Sequence, residues 1–207
     1  MERLLRTATG ASVSGPGFRL WVYAGLAATG IGVATLLLAD RPKLKPGMKV
    51  FLLGDSLAVG LSVPLRALSK DYGIIFQSMG KVGSRIDQWA ADEAMYDAVQ
   101  KFQPDLVLVS LGTNDEYLAG DGGSKQAPFL DKLLYRLRGV SKDVVWIGPP
   151  KLPKAGTNGA IPEILKAVPR SHYIPSQEYN IPRAPDQLHP TTAGYAYWAG
   201  LIWKHLS

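Results

Sequence analysis

The sequence predicts an α/β domain, a parallel sheet with helices on both faces, preceded by an apolar segment of membrane-spanning length. Three observations predict it. From Lys49 onward, short apolar runs alternate with longer amphipathic ones, the pattern that builds βαβ units with right-handed crossovers. Runs such as Leu106–Ser110 (LVLVS) are continuously apolar, as in strands buried on both faces. Clusters of Gly, Asp, Ser and Asn follow these runs directly, where open α/β sheets gather their sites.

The first segment spans Leu20–Ala39 (LWVYAGLAATGIGVATLLLA) and carries no charge. At about 1.5 Å per helical residue it matches a hydrocarbon core of about 30 Å. Trp21 and Tyr23 at one end suit a membrane interface, and its glycines are common in membrane helices. A cleaved signal peptide fits less well, because nearly twenty residues precede the run and Leu37-Leu38-Ala39 is a poor cleavage site. The expected organisation is therefore a tail (1–19), a single-pass anchor (20–39), a linker (40–48) and a domain (49–207). Arg3, Arg6 and Arg19 before the span balance Arg41, Lys43 and Lys45 after it, so charge does not set its orientation. A domain behind one N-terminal anchor is expected to face outside the cytoplasm.

The net charge of +6 raises nucleic acid as a partner. Much of the basic excess brackets the apolar span, however, where it suits lipid headgroups. No zinc-finger or RNA-binding signature is present, so no nucleic-acid partner is expected. The absence of cysteine excludes disulfides, thiolate chemistry and cysteine-based zinc sites. No His/Asp/Glu cluster has ligand spacing, so no metal is expected.

Within the domain, strands are expected at 49–53, 73–78, 106–110, 144–147 and 172–174. Helices are expected at 57–68, where Pro64 should bend or shift the helix, and at 86–102, 129–137, 161–167 and 191–206. Thr191 is a suitable N-cap for the last.

Four polar clusters occupy the intervening turns. Gly54-Asp55-Ser56-Leu57 places a serine at a helix N-terminus, where backbone N–H groups and the dipole favour negative charge. Taken alone, Gly-Asp-Ser is ordinary turn chemistry. Gly80-Lys81-Val82-Gly83-Ser84 offers two glycines that would let a backbone N–H approach a ligand. Gly112-Thr113-Asn114-Asp115 offers a neutral amide donor, with Asp115 able to cap the following turn. Asp186-Gln187-Leu188-His189-Pro190 pairs a carboxylate with a histidine three residues on. A serine hydroxyl needs such a base, and the base needs an orienting carboxylate. Of the other two histidines, His172 beside a weak strand and His205 in an exposed last turn are read as structural.

In their order and content these clusters resemble the four sequence blocks of the SGNH/GDSL hydrolase family. Ser56 in GDSL matches the first block, Gly83 the second, Asn114 in GTND the third, and Asp186 and His189 in DQLH the last. The resemblance implies a flavodoxin-like, three-layer αβα fold and cofactor-free ester hydrolysis. Ser56 would be nucleophile, His189 base and Asp186 its partner, with Ser56, Gly83 and Asn114 forming the oxyanion hole. Gly80 is the alternative to Gly83, which is favoured because Ser84-Arg85-Ile86 leads straight into a helix.

Substrate is less defined. Short acyl groups on cell-wall or surface carbohydrate are expected, with Trp89, Tyr117, Trp146 and Pro149–Pro153 as candidates for a sugar cleft. The two tryptophans are better read as core. A lipase, lysophospholipase or thioesterase at the membrane is the alternative enzyme. A catalytically silent carbohydrate-binding or scaffold protein is the alternative of another class.

Overall fold

The computed structural model describes residues 41–118, 127–151 and 160–207. The predicted anchor and tail lie outside them, and among the described residues no helix is long and apolar enough to cross a membrane. Five strands form one sheet: β1 (Lys49–Gly54), β2 (Ile75–Gly80), β3 (Leu106–Ser110), β4 (Asp143–Ile147) and β5 (Tyr173–Ile174). All neighbours pair in parallel, in the order β2-β1-β3-β4-β5. This is the flavodoxin-like order, whose switch point lies between β1 and β3 at their carboxyl ends.

Strand periodicity divides the core into two layers. Phe51, Leu53, Val107, Val109 and Trp146 face one side. There they meet α2 (Ile86–Ala90), α3 (Glu93–Phe102) and α5 (Ala127–Arg138) through Trp89, Met95, Val99, Leu133 and Leu137. Val50, Leu52, Leu106, Leu108 and Val145 face the other side. They meet α1 (Ser56–Asp71) and α7 (Thr192–Leu206) through Leu57, Leu61, Leu65, Trp198 and Ile202. The expected three-layer αβα architecture is present. Two shorter helices, α4 (Thr113–Leu118) and α6 (Ala160–Ala167), follow β3 and β4.

Several elements depart from the sequence reading. The helix expected across 86–102 is two helices, because the Asp92 side chain accepts from Met95 N at 2.9 Å and starts α3 afresh. An N-cap aspartate outcompetes the apolar periodicity that runs across it. Thr113–Leu118 is helical where only a turn was expected. The second strand begins two residues later than expected, because Gly73 at φ +67 closes the end of α1. Pro64 does not stop α1, which continues to Asp71. Thr191 caps α7 as expected, accepting from Gly194 N at 3.0 Å. Before β1, Leu44 donates its N–H to Leu206 O at 2.7 Å and packs with Met48 against the core.

The tightest point of the fold joins β1 to β3. Gly54 and Ser110 are register partners, and Asp55 N donates to Ser110 O at 3.1 Å. A Cβ on Gly54 would lie 2.0 Å from that carbonyl oxygen. Neither backbone can retreat without breaking a central strand pair. Gly54→Ala is therefore expected to cost about 3 kcal/mol, measured by urea unfolding. A loss below about 0.5 kcal/mol, the scale of an ordinary surface change, would contradict this account of the β1 exit.

Candidate active site

The β1 exit turns sharply at Gly54, and Asp55 begins α1 by accepting from Leu57 N at 2.8 Å. Ser56 is thereby the first residue of the helix, beside N–H groups without intrahelical acceptors. Its Oγ lies 3.0 Å from Nε2 of His189, 133 residues further along the chain. His189 Nδ1 lies 2.7 Å from Asp186 Oδ2. The other oxygen, Asp186 Oδ1, accepts from both Leu188 N and His189 N at 2.9 Å.

These three bonds draw the Asp186 carboxyl down to about 2, the His189 side chain contributing most and the two N–H groups following. Asp186 therefore stays ionised at neutral pH beside the imidazole. The tautomer with hydrogen on Nδ1 leaves Nε2 as an acceptor for the Ser56 hydroxyl.

The turn after β2 is held from several sides. Ser84 N donates to Lys81 O at 3.1 Å, and Ser84 Oγ to the same oxygen at 2.7 Å. Trp89 Nε1 donates to Ser84 Oγ at 2.7 Å. Asn114 Nδ2, from the first turn of α4, donates to Ser84 O at 2.8 Å. An amide nitrogen carries two hydrogens, so this bond orients Asn114 and leaves a second donor.

The two glycines of the turn differ. A Cβ on Gly80 would meet Val59 Cγ2 at 2.5 Å, so helix packing accounts for that glycine. Gly83 sits at φ +71 with open space where its Cβ would be.

Other sequence candidates take different places. Trp89 and Trp146 are fully buried, Trp146 donating to Leu111 O at 3.1 Å, so neither faces a cleft. Pro149 and Pro150 are buried and Lys151 is exposed. Leu152, Pro153 and the Tyr117 side chain lie outside the described residues. Asp115 turns back instead of only capping its own turn, its Oδ1 accepting from Ile86 N at 3.2 Å. His172 contacts Ser171 Oγ at 2.9 Å and lies 3.6 Å from Asp143, at the opposite end of β4 from Ser56. His205 is half-buried rather than exposed, and burial, followed by the charge of Arg41, lowers its pKa.

Two groups beside Ser56 were not legible in the sequence. Asp55 is fully buried, and burial pushes its carboxyl up to about 7. Tyr195 lays its ring over Gly60, one turn beyond Ser56, where a Cβ would lie 2.1 Å from Tyr195 Cζ. Burial and the charges of Asp55 and Asp186 raise its phenol to about 12. A glycine in the middle of α1, costly in a helix, was the available signal for that close approach.

A serine joined through histidine to a carboxylate, at the switch point of a flavodoxin-like sheet, defines the class as serine hydrolase. Residues 52–197 match the GDSL-like lipase/acylhydrolase family, and the chain belongs to it as an ester-hydrolysing enzyme. No curated protein sequence matches significantly. Among solved structures, an acetylxylan esterase (Axe2) from Geobacillus stearothermophilus superposes with a TM-score of 0.60 at 16% identity, covering 80% of this chain and 96% of that one. A family 3 carbohydrate esterase from Clostridium thermocellum gives 0.60 at 20% identity, covering 76% and 94%. LAE5, an alpha/beta hydrolase enzyme from the metagenome of Lake Arreo, Spain, gives 0.57 at 19% identity, covering 79% and 96%. At these identities the likeness is one of fold.

The buried Asp55 has a consequence for stability. Its folded pKa lies above the ordinary 3.8, so the fold favours the neutral form. Its contribution is complete below about pH 4 and is lost as pH rises through about 7. Asp55→Asn should therefore gain stability relative to the parent chain between pH 5 and pH 8, read from urea midpoints at each pH. A constant difference across that range would mean that Asp55 is not held neutral.

Proposed function

We propose that this chain removes short acyl groups, acetyl above all, from carbohydrate by a two-step acyl-enzyme mechanism. One observation carries the proposal: the continuous hydrogen-bonded path from Ser56 Oγ through His189 to Asp186. In the first step His189 Nε2 takes the Ser56 proton as Oγ attacks the ester carbonyl. The oxyanion is held by the N–H groups of Ser56 and Gly83 and by the second amide hydrogen of Asn114. His189 then protonates the leaving sugar hydroxyl, with Asp186 beside the imidazolium throughout. In the second step water attacks the acyl-enzyme by the same route and frees the carboxylic acid.

The acetyl-carbohydrate assignment draws support from two structural neighbours. One is named an acetylxylan esterase, the other a family 3 carbohydrate esterase. The uncharged run Leu20–Ala39 supports an enzyme held at a membrane, with surface polysaccharide in reach of an outward-facing domain. Protease added to intact cells should digest that domain; full protection would place it inside.

The full chain should hydrolyse p-nitrophenyl acetate faster than longer-chain esters and release acetate from acetylated xylo-oligosaccharides. Ser56→Ala should abolish both activities. Preference for long chains would move the substrate to lipids, and undiminished turnover in Ser56→Ala would remove Ser56 as nucleophile. Asn114→Ala should lower kcat by roughly 100- to 1000-fold; an unchanged kcat would exclude it from the oxyanion hole.

A further inference from the structure

The contact between Ser56 and His189 joins the start of α1 to a distant loop, and that loop must be held in place against the sheet. It is closed at its base by an antiparallel bridge between Arg183 and Pro190 and by Thr191 N donating to Pro182 O at 3.1 Å. Inside it, Ala184 N donates to His189 O at 2.8 Å, and Gln187 N to Ala184 O at 2.9 Å. Gln187 takes φ +59, a left-handed conformation that side chains other than glycine rarely adopt. A loop bent this way needs outside support to keep one geometry.

The Arg183 side chain supplies such support. Its Nη1 donates to Leu188 O, the carbonyl directly before His189. Its Nη2 donates to Lys151 O at 2.8 Å, in the segment that leaves β4. One planar guanidinium thus ties the histidine loop to the exit of a different strand. Two carbonyls held at fixed angles suit its fork, and a single ammonium cannot reproduce the pair.

We infer that Arg183 is a positioning residue for His189, holding the Asp186–His189 loop so that Nε2 stays within hydrogen-bond reach of Ser56 Oγ. This rests on His189 being the base of the proposed reaction. Arg183 does not touch the reacting atoms and acts through the Leu188 carbonyl. A change in the position of His189 should fall on kcat and leave KM little changed. A misplacement of about 1 Å in a catalytic group costs on the order of 100-fold in rate.

The test compares the full-length parent chain, Arg183→Ala and Arg183→Lys by amide hydrogen exchange and by kcat and KM on p-nitrophenyl acetate. In Arg183→Ala, exchange should rise across Ala184–His189 but not in the β1 and β3 strands. Its kcat should fall roughly 10- to 100-fold, with KM within about threefold, and millimolar guanidinium should restore part of the loss. Arg183→Lys, which keeps the charge but not the planar fork, should fall in between and covers the case of an alanine variant that fails to fold. Unchanged loop exchange in the variants would overturn the proposal, as would unchanged kcat or exchange rising equally throughout the domain. If the parent chain neither turns over ester nor reacts with a serine-directed phosphonate, the catalytic reading itself has failed. The exchange comparison still decides in that case whether Arg183 holds the loop.

Discussion

Two backbones meet at the carboxyl ends of β1 and β3 with no room for a side chain between them. Gly54 lies against the Ser110 carbonyl, and Asp55 N–H bonds to that same oxygen. Much else follows from this contact. It turns the chain sharply enough for α1 to begin at Ser56, so that the serine is the first residue of a helix whose opposite face is buried in the core. It also fixes the end of β3, from which Asn114 reaches across to Ser84. The switch point opens a crevice because crossovers from neighbouring strands leave on opposite faces of the sheet. In this chain the turn after β2 and the loop before α7 both reach that end of the sheet, His189 lying against Ser56.

Precision at such a site comes from what stands behind it. The Gly83 turn is braced by Trp89, a buried indole whose N–H needs an acceptor and finds it in Ser84. Asn114 is aimed by the carbonyl of the same serine. Asp186 gains its orientation and its strong acidity from two backbone N–H groups and the imidazole. Asp55 behaves in the opposite manner. It is one residue from Ser56, yet burial outweighs its hydrogen bonds and raises its carboxyl to about 7. Two aspartates near one serine thus differ widely in acidity through solvation and hydrogen bonding, not through their intrinsic chemistry.

Much of this was legible in the sequence, and the reason is locality. Continuous apolar runs marked the buried strands because parallel strands covered on both faces leave no polar positions. Gly-Asp-Ser-Leu and Asp-Gln-Leu-His could be read because a turn glycine, a serine at a helix start and a carboxylate three residues before a histidine all work at short range. The structure brings Asp186 and His189 together at short range and places Ser56, 133 residues away, against the same imidazole. The break before α3 was missed because a capping aspartate and an apolar stripe gave conflicting local signals across Ala91 and Asp92.

The sequence by itself determined the alternation of elements, the three-layer class, the family and the residues able to supply nucleophile, base and carboxylate. Tertiary structure decided whatever depends on partners distant in the chain. It packed Gly80 against Val59 and left open space beside Gly83. It sent Trp89 and Trp146 into the core, turned Asp115 toward Ile86, and half-buried His205. It set Arg183 between Leu188 and Lys151 and Tyr195 over Gly60. A side chain's charge, exposure and direction follow from the dielectric and the hydrogen-bond partners around it. Those surroundings exist only once segments far apart in sequence have packed together.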